Sequence, residues 1–95
     1  ERKLIPKFGI YSGKIQIGTK FYYGMAYIGD KPTFNHKSLT IEVHIFNFNE
    51  QLYDQRITLY LEEYLREDKK FDSLEKLKIQ MQKDETQVKK YYHLN

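Results

Sequence analysis

The chain has 95 residues, with sixteen Lys or Arg against thirteen Asp or Glu and no cysteine. That length holds one small domain with its own core, and without cysteine there is no disulfide scaffold, thiol nucleophile or Cys-ligated zinc site. The net charge of +3 suits an anionic small ligand, and the interspersed acidic residues remove any demand for nucleic acid. Charges interrupt every apolar run, so neither a signal peptide nor a membrane span is legible and a cytoplasmic protein is expected. Nine Tyr and six Phe favour β structure and flat ligand surfaces.

The opening ERKLIPKFG lacks a period and reads as a connection. From Ile10 to Ile17 the pattern alternates, with Tyr11, Gly13, Ile15 and Ile17 on one face and Ser12, Lys14 and Gln16 on the other, as in a half-buried strand. Gly18-Thr19 predicts a tight turn. Lys20 to Ile28 is a second strand, in which Gly24 marks a bulge or a close approach of backbone or ligand. Gly29 to Ser38 reads as a turn. Leu39 to Phe48 is the clearest strand: Leu39, Ile41, Val43 and Ile45 face one way, Thr40, Glu42, His44 and Phe46 the other. Asn47 to Asp54 is a polar turn, and Arg56 to Glu62 alternates again with Ile57, Leu59 and Leu61 inward. Strands this close in sequence pair antiparallel. The period then changes. Asp72 as cap with Glu75 three residues on, followed by Leu74, Leu77, Met81 and Val88, predicts a helix from about Ser73 to about Tyr91. Lys89 and Lys90 suit its C-terminal dipole. The expected fold is mainly β: a small antiparallel sheet closed into a barrel, which removes its open edges, with one C-terminal helix.

Glu42 stands out as a mid-strand carboxylate. It is either a solvated side chain or a general base on a rigid strand. His44 shares its face, yet the three His at 36, 44 and 93 are too scattered to form a metal site.

Four stretches, in order and with similar spacing, resemble the riboflavin kinase family: FGIYSGKIQI, AYIGDKPTFN, LTIEVHIFNFNEQLYDQRI and YLREDKKFDSLEKL. The resemblance implies a six-stranded antiparallel barrel with a long C-terminal helix, its first strand missing here. It implies ATP:riboflavin 5′-phosphotransferase activity with Mg²⁺, ATP and riboflavin as substrates and FMN as product. It makes Glu42 the catalytic carboxylate, which orients the ribityl hydroxyl and accepts its proton. It assigns Ile45, Asn47 and Tyr53 to the nucleotide, and Arg66, Lys69 and Phe71 to the flavin. The alternatives are core for Ile45 and Phe71, a strand-end turn for Asn47, and solvated cations for Arg66 and Lys69.

The family's Pro-Thr-Ala-Asn metal motif precedes the first stretch. Pro32-Thr33-Phe34-Asn35 has its spacing but not its place and reads as a turn, so no metal ligand is expected in this chain. Residues 1–95 then read as a kinase domain without that upstream glycine-rich segment, weak or inactive alone. In bacteria such a domain is usually joined to an N-terminal FMN adenylyltransferase domain; no nucleic-acid or membrane partner is expected. Two other readings stand beside this one. One is a β-barrel binding single-stranded nucleic acid through Phe21, Tyr22, Tyr23 and Tyr27 with Lys14 and Lys20. The other is a flavin-binding domain without catalysis.

Overall fold

The structure, a computed structural model, describes residues 6–33, 36–52 and 55–94. Four strands, β1 (Gly9–Ile17), β2 (Lys20–Thr33), β3 (His36–Ile45) and β4 (Ile57–Arg66), precede one helix, α1 (Leu74–Tyr91). All pairings are antiparallel and the order across the sheet is β3-β2-β1-β4. The mainly β fold with a C-terminal helix is as expected, but the barrel is not closed. Among the described residues no backbone pairing joins β3 to β4, so both are edges.

Ile17 pairs with Lys20 across Gly18-Thr19, and Gly18 takes φ 62°, the left-handed conformation that a two-residue hairpin requires. Gly24 serves the close approach its position suggested: a Cβ there would lie 2.1 Å from the His44 carbonyl oxygen. The expected turn at Gly29–Ser38 is a correction. β2 continues to Thr33 and pairs with β3 from Gly29↔Thr40 to Thr33↔His36. Gly and Pro are tolerated because β2 pairs with β1 only up to Ile28, leaving this extension two-stranded. Phe34 and Asn35 of the PTFN stretch lie outside the described residues.

Directly paired residues share a face. Ile15, Ala26 and Ile28 are buried on one face, where Ile28 stands opposite Ile41, Ala26 opposite Val43, and Ile15 opposite Leu59. On the two edge strands the same face stays open: Leu39, Ile41, Val43 and Ile57 are exposed. The alternation was therefore right about facing, but it could not supply a cover. Ser12 keeps its expected face, opposite Met25, but on the helix side of the sheet it is buried. The β1–β4 register shifts between Ser12 and Gly13. There Ser12 Oγ accepts the Glu63 N–H at 3.0 Å, satisfying a buried donor that the irregular ladder would otherwise strand.

The helix packs on the opposite face. Val88 meets Met25 and Phe46 in a small buried core flanked by Tyr23, Leu65, Tyr92 and Leu94. Burial of each such apolar side chain contributes roughly 1.5–3 kcal/mol. Only the C-terminal half of α1 is seated this closely. Leu74 and Met81, counted in the expected apolar stripe, remain exposed and Leu77 is half-buried; Leu77 and Met81 line a cavity there. Among the described residues no helix is long and apolar enough to cross a membrane.

The helix start also differs from expectation by one residue. Ser73 is the N-cap, its Oγ accepting the Lys76 N–H at 3.2 Å. Asp72 instead pairs with Lys76 Nζ at 3.2 Å on the surface. Ser73→Ala should therefore cost about 1 kcal/mol in denaturant unfolding, and Asp72→Ala less than about 0.5 kcal/mol. The reverse order would return the cap to Asp72.

Candidate functional site

A cavity of about 420 Å³ lies between the sheet and the N-terminal half of α1, within the range typical of small-ligand sites. Met25, Tyr27, Glu42 and His44 form its sheet wall, Leu77, Met81 and Asp84 its helix wall, and Arg66, Asp68 and Phe71 close the side between them. Three residues singled out from sequence, Glu42, Arg66 and Phe71, thus meet at one site. Glu42 is exposed on edge strand β3, directly opposite Tyr27. Phe71 is half-buried on the connection that leads into the helix.

Arg66 is neither free nor solvated. It ends β4 and forks onto Asp84 of α1: Nη2 donates to Oδ2 at 2.6 Å and Nε to Oδ1 at 3.0 Å. Nη1 donates to the Glu67 carbonyl oxygen at 2.9 Å. The Asp84 side chain is only 5 % exposed and accepts a further bond from Gln80 Nε2 at 3.0 Å. The hydrogen bond to Asp84 raises the Arg66 pKa above its ordinary value against the opposing effect of burial, so the guanidinium stays charged. Sequence reasoning missed Asp84. Its signal was present: the helix spacing Leu77, Met81, Asp84, Val88 puts a carboxylate inside the apolar stripe, where it needs a cation.

Tyr27 Oη donates to Asp68 Oδ2 at 3.1 Å, joining the sheet to the β4–α1 connection at the cavity wall. Its pKa is raised, first by burial, then by the Asp68 hydrogen bond and the charges of Asp68 and Glu42. Lys69 lies exposed on the same connection, outside the cavity lining.

Ile45 and Asn47 belong elsewhere. They line a second cavity at the end of β3, with Phe46, Phe48, Glu85 and Lys89, and His44 borders both cavities. Asn47 is exposed at φ 57°, a left-handed turn position that Asn tolerates. Tyr53, the third expected nucleotide contact, lies outside the described residues. His44 Nε2 lies 3.4 Å from Glu85 Oε1, and Lys89 Nζ 2.9 Å from Glu85 Oε2. Among the described residues no three His, Asp or Glu gather into a set that could hold a metal ion.

The aromatic and basic residues weighed as a nucleic-acid platform are divided. Tyr23 stacks on Tyr92 at a centroid distance of 4.2 Å, Tyr22 meets Phe48 edge-on at 5.0 Å, and Tyr27 is tied to Asp68. Lys14 covers the Phe21 ring at 4.7 Å. They present no single stacking surface, because neighbours in a strand point to opposite faces.

An antiparallel sheet, a helix standing off one face, and a strand-borne carboxylate lining the intervening cavity together define a small β domain with a ligand-sized site. Comparison with known proteins names the family. The family model for flavokinase, riboflavin kinase, matches residues 1–92, and the chain belongs to that family. It is 41% identical over 97 residues to the bifunctional riboflavin kinase/FMN adenylyltransferase of Buchnera aphidicola subsp. Schizaphis graminum, covering 98% of this chain and 31% of that protein. It is 32% identical to the Bacillus subtilis protein of the same description, covering 94% of this chain and 29% of the relative. The RNA-binding riboflavin kinase RibR of Bacillus subtilis is 33% identical over 90% of this chain and 38% of that protein. A solved structure described as a macrolide-efflux protein from Streptococcus pneumoniae superposes with a TM-score of 0.78 at 32% identity, over 88% of this chain and 28% of that one. The chain thus spans about a third of the length of the curated relatives it matches.

Two predictions concern the wall of the site. Arg66→Ala or Asp84→Ala alone should each destabilise by about 3–5 kcal/mol, because each strands the partner's buried charge. Replacing both with apolar residues, Arg66→Met with Asp84→Leu, should recover much of that loss in denaturant unfolding; no recovery would mean that the pair does more than satisfy itself. Glu85 provides a pH signature. The Lys89 hydrogen bond chiefly holds its pKa below the ordinary value, against burial and with help from His44. Its stabilisation is therefore present above the unfolded carboxylate range and lost as pH falls through the depressed folded value. Glu85→Gln should flatten that acid limb in thermal melts and leave the alkaline limb unchanged.

Proposed function

We propose that this chain catalyses, or forms the catalytic domain for, ATP-dependent phosphorylation of riboflavin to FMN. The single observation that supports this most is the cavity gathering Glu42, Arg66 and Phe71, three residues that family resemblance alone had assigned to one reaction. The ribityl 5′-hydroxyl is neutral and a poor nucleophile. In this reading Glu42 receives its hydrogen bond and takes its proton as the terminal phosphoryl group of ATP is transferred. The rigid strand fixes the carboxylate, and the Cβ of Tyr27 opposite it lies only about 5 Å away.

The isoalloxazine ring packs against Phe71 and the apolar Leu77 and Met81 side of the cavity. Arg66 acts through Asp84 by holding the connection that carries Phe71, so its role toward the flavin is positioning. Lys69 would meet the new phosphate from the solvent side. The nucleotide occupies the second cavity, against Ile45 and Asn47. His44, at the border of the two cavities, marks where the phosphoryl group passes.

The family resemblance brings Mg²⁺ in with ATP. The described residues offer no ligand set for it, and none is assigned to it. Since the relatives are named as bifunctional riboflavin kinase/FMN adenylyltransferases, we infer that the native protein couples this domain to an adenylyltransferase that converts FMN to FAD. Use of ATP is consistent with the cytoplasmic location expected from the sequence.

The test is Glu42→Gln in the full-length protein, supplied with riboflavin, ATP and Mg²⁺. FMN formation, followed by chromatography, should fall roughly 10²-fold or more, while quenching of riboflavin fluorescence on binding persists. Near-normal turnover removes Glu42 from the reaction. Flavin binding with no FMN formed by the unsubstituted protein would leave a flavin-binding domain without catalysis.

A further inference from the structure

The resemblance assigns Arg66, Lys69 and Phe71 to the flavin but passes over Asp68, and it says nothing of Tyr27. Both line the Glu42 cavity. They are 41 residues apart in sequence and joined by the 3.1 Å hydrogen bond from the Tyr27 hydroxyl to Asp68 Oδ2. Tyr27 stands directly opposite Glu42 on the neighbouring strand. The wall therefore runs from Glu42 through Tyr27 to Asp68, and then to the apolar side formed by Phe71, Leu77 and Met81.

Charge narrows what this row can hold. Two carboxylates on one wall disfavour an anion, and Arg66, the one Lys or Arg among the described residues lining the cavity, is already forked onto Asp84. A carboxylate accepts hydrogen bonds at up to about four lone-pair positions and donates none, and Tyr27 uses one of those on Asp68. Such a wall fits a neutral chain of hydroxyl donors. The Tyr27 phenol, with its pKa raised by burial and by Asp68, keeps its proton through the neutral range and so keeps Asp68 turned toward the cavity.

Resting on the riboflavin reading of this cavity, we propose that Asp68, oriented by Tyr27, is the specificity-determining residue for the hydroxylated side chain of the substrate. Asp68 accepts hydrogen bonds from the internal hydroxyls of a neutral polyol whose terminal hydroxyl reaches Glu42. Tyr27 is its positioning residue. A purely structural role, in which the pair only ties the β4–α1 connection to the sheet, would affect the ring and the side chain of a flavin alike.

The two roles separate when riboflavin is compared with lumiflavin, which carries the same ring with a methyl group in place of the ribityl chain. Fluorescence titrations of the full-length protein and its Asp68→Asn and Tyr27→Phe variants provide the readout, with thermal melts alongside. Riboflavin affinity should fall roughly tenfold in Asp68→Asn, as expected for losing hydrogen bonds to a charged acceptor, and in the same direction in Tyr27→Phe, with lumiflavin affinity unchanged in both. Equal loss of both flavins, or loss of neither, overturns the proposal while leaving the flavin site standing. Failure of the unsubstituted protein to bind either flavin overturns the riboflavin reading and the proposal with it. Should Tyr27→Phe fold poorly, Asp68→Asn decides alone, since its side chain is solvent-exposed.

Discussion

The bond between Arg66 and Asp84 organises this domain. The sheet alone is an open four-stranded layer with two edge strands, and the helix packs closely on it only around Val88. What holds the other half of the helix at a set distance is a bidentate ion pair from the last residue of β4 to the middle of α1. Planar guanidinium against carboxylate fixes direction as well as distance. The connection from Glu67 to Ser73 is pinned at its start by that pair and by Arg66 Nη1 on the Glu67 carbonyl, and at its end by the Ser73 cap. Between these anchors it carries Asp68 and Phe71 to the cavity wall.

A pair this buried is not a cheap source of stability, because both charges lose their water. Its value here is geometric. An apolar substitute could hold the helix, but it would not dictate where the helix stands off from the sheet, and the standoff makes the cavity. The same logic extends to Tyr27 and Asp68 and to Tyr92 and Glu62, in which tyrosines of the sheet and the helix end donate to carboxylates on other elements. Polar ties at the perimeter set the spacing that a small apolar core cannot set alone.

Phosphoryl transfer asks a protein mainly for position and charge. In the proposed reading, the strand-borne carboxylate beside a cavity with one apolar wall and one polar wall answers the acceptor's half of that demand. The two cavities share His44 at their border, and in the proposed reading acceptor and donor bind on either side of it. The open apolar face of β3 and β4 lies on the far side of the sheet from this chemistry, and the edge strands there rely on pairing, not burial, to stay in register.

Element types and most facings were legible in the sequence, because a period of two or of 3.6 is a local property of the chain. The Gly18-Thr19 turn, the facing of β1 and β3, and the helix to Tyr91 all followed from it. The Gly29–Ser38 stretch was misread, since turn residues there are tolerated by a two-stranded extension that only the β2–β3 register reveals. Ser73 displaced Asp72 as cap because both residues suit the position and only the local backbone chooses between them. Glu42, Arg66 and Phe71 could be named from resemblance, but the partners that hold the site together could not. Arg66 with Asp84, and Tyr27 with Asp68, join residues 18 and 41 positions apart. No periodicity encodes such a meeting. It follows from how far a twisted sheet extends beneath a helix, which is decided by packing over the whole chain, and so the open sheet and the walls of the cavity belong to the tertiary structure alone.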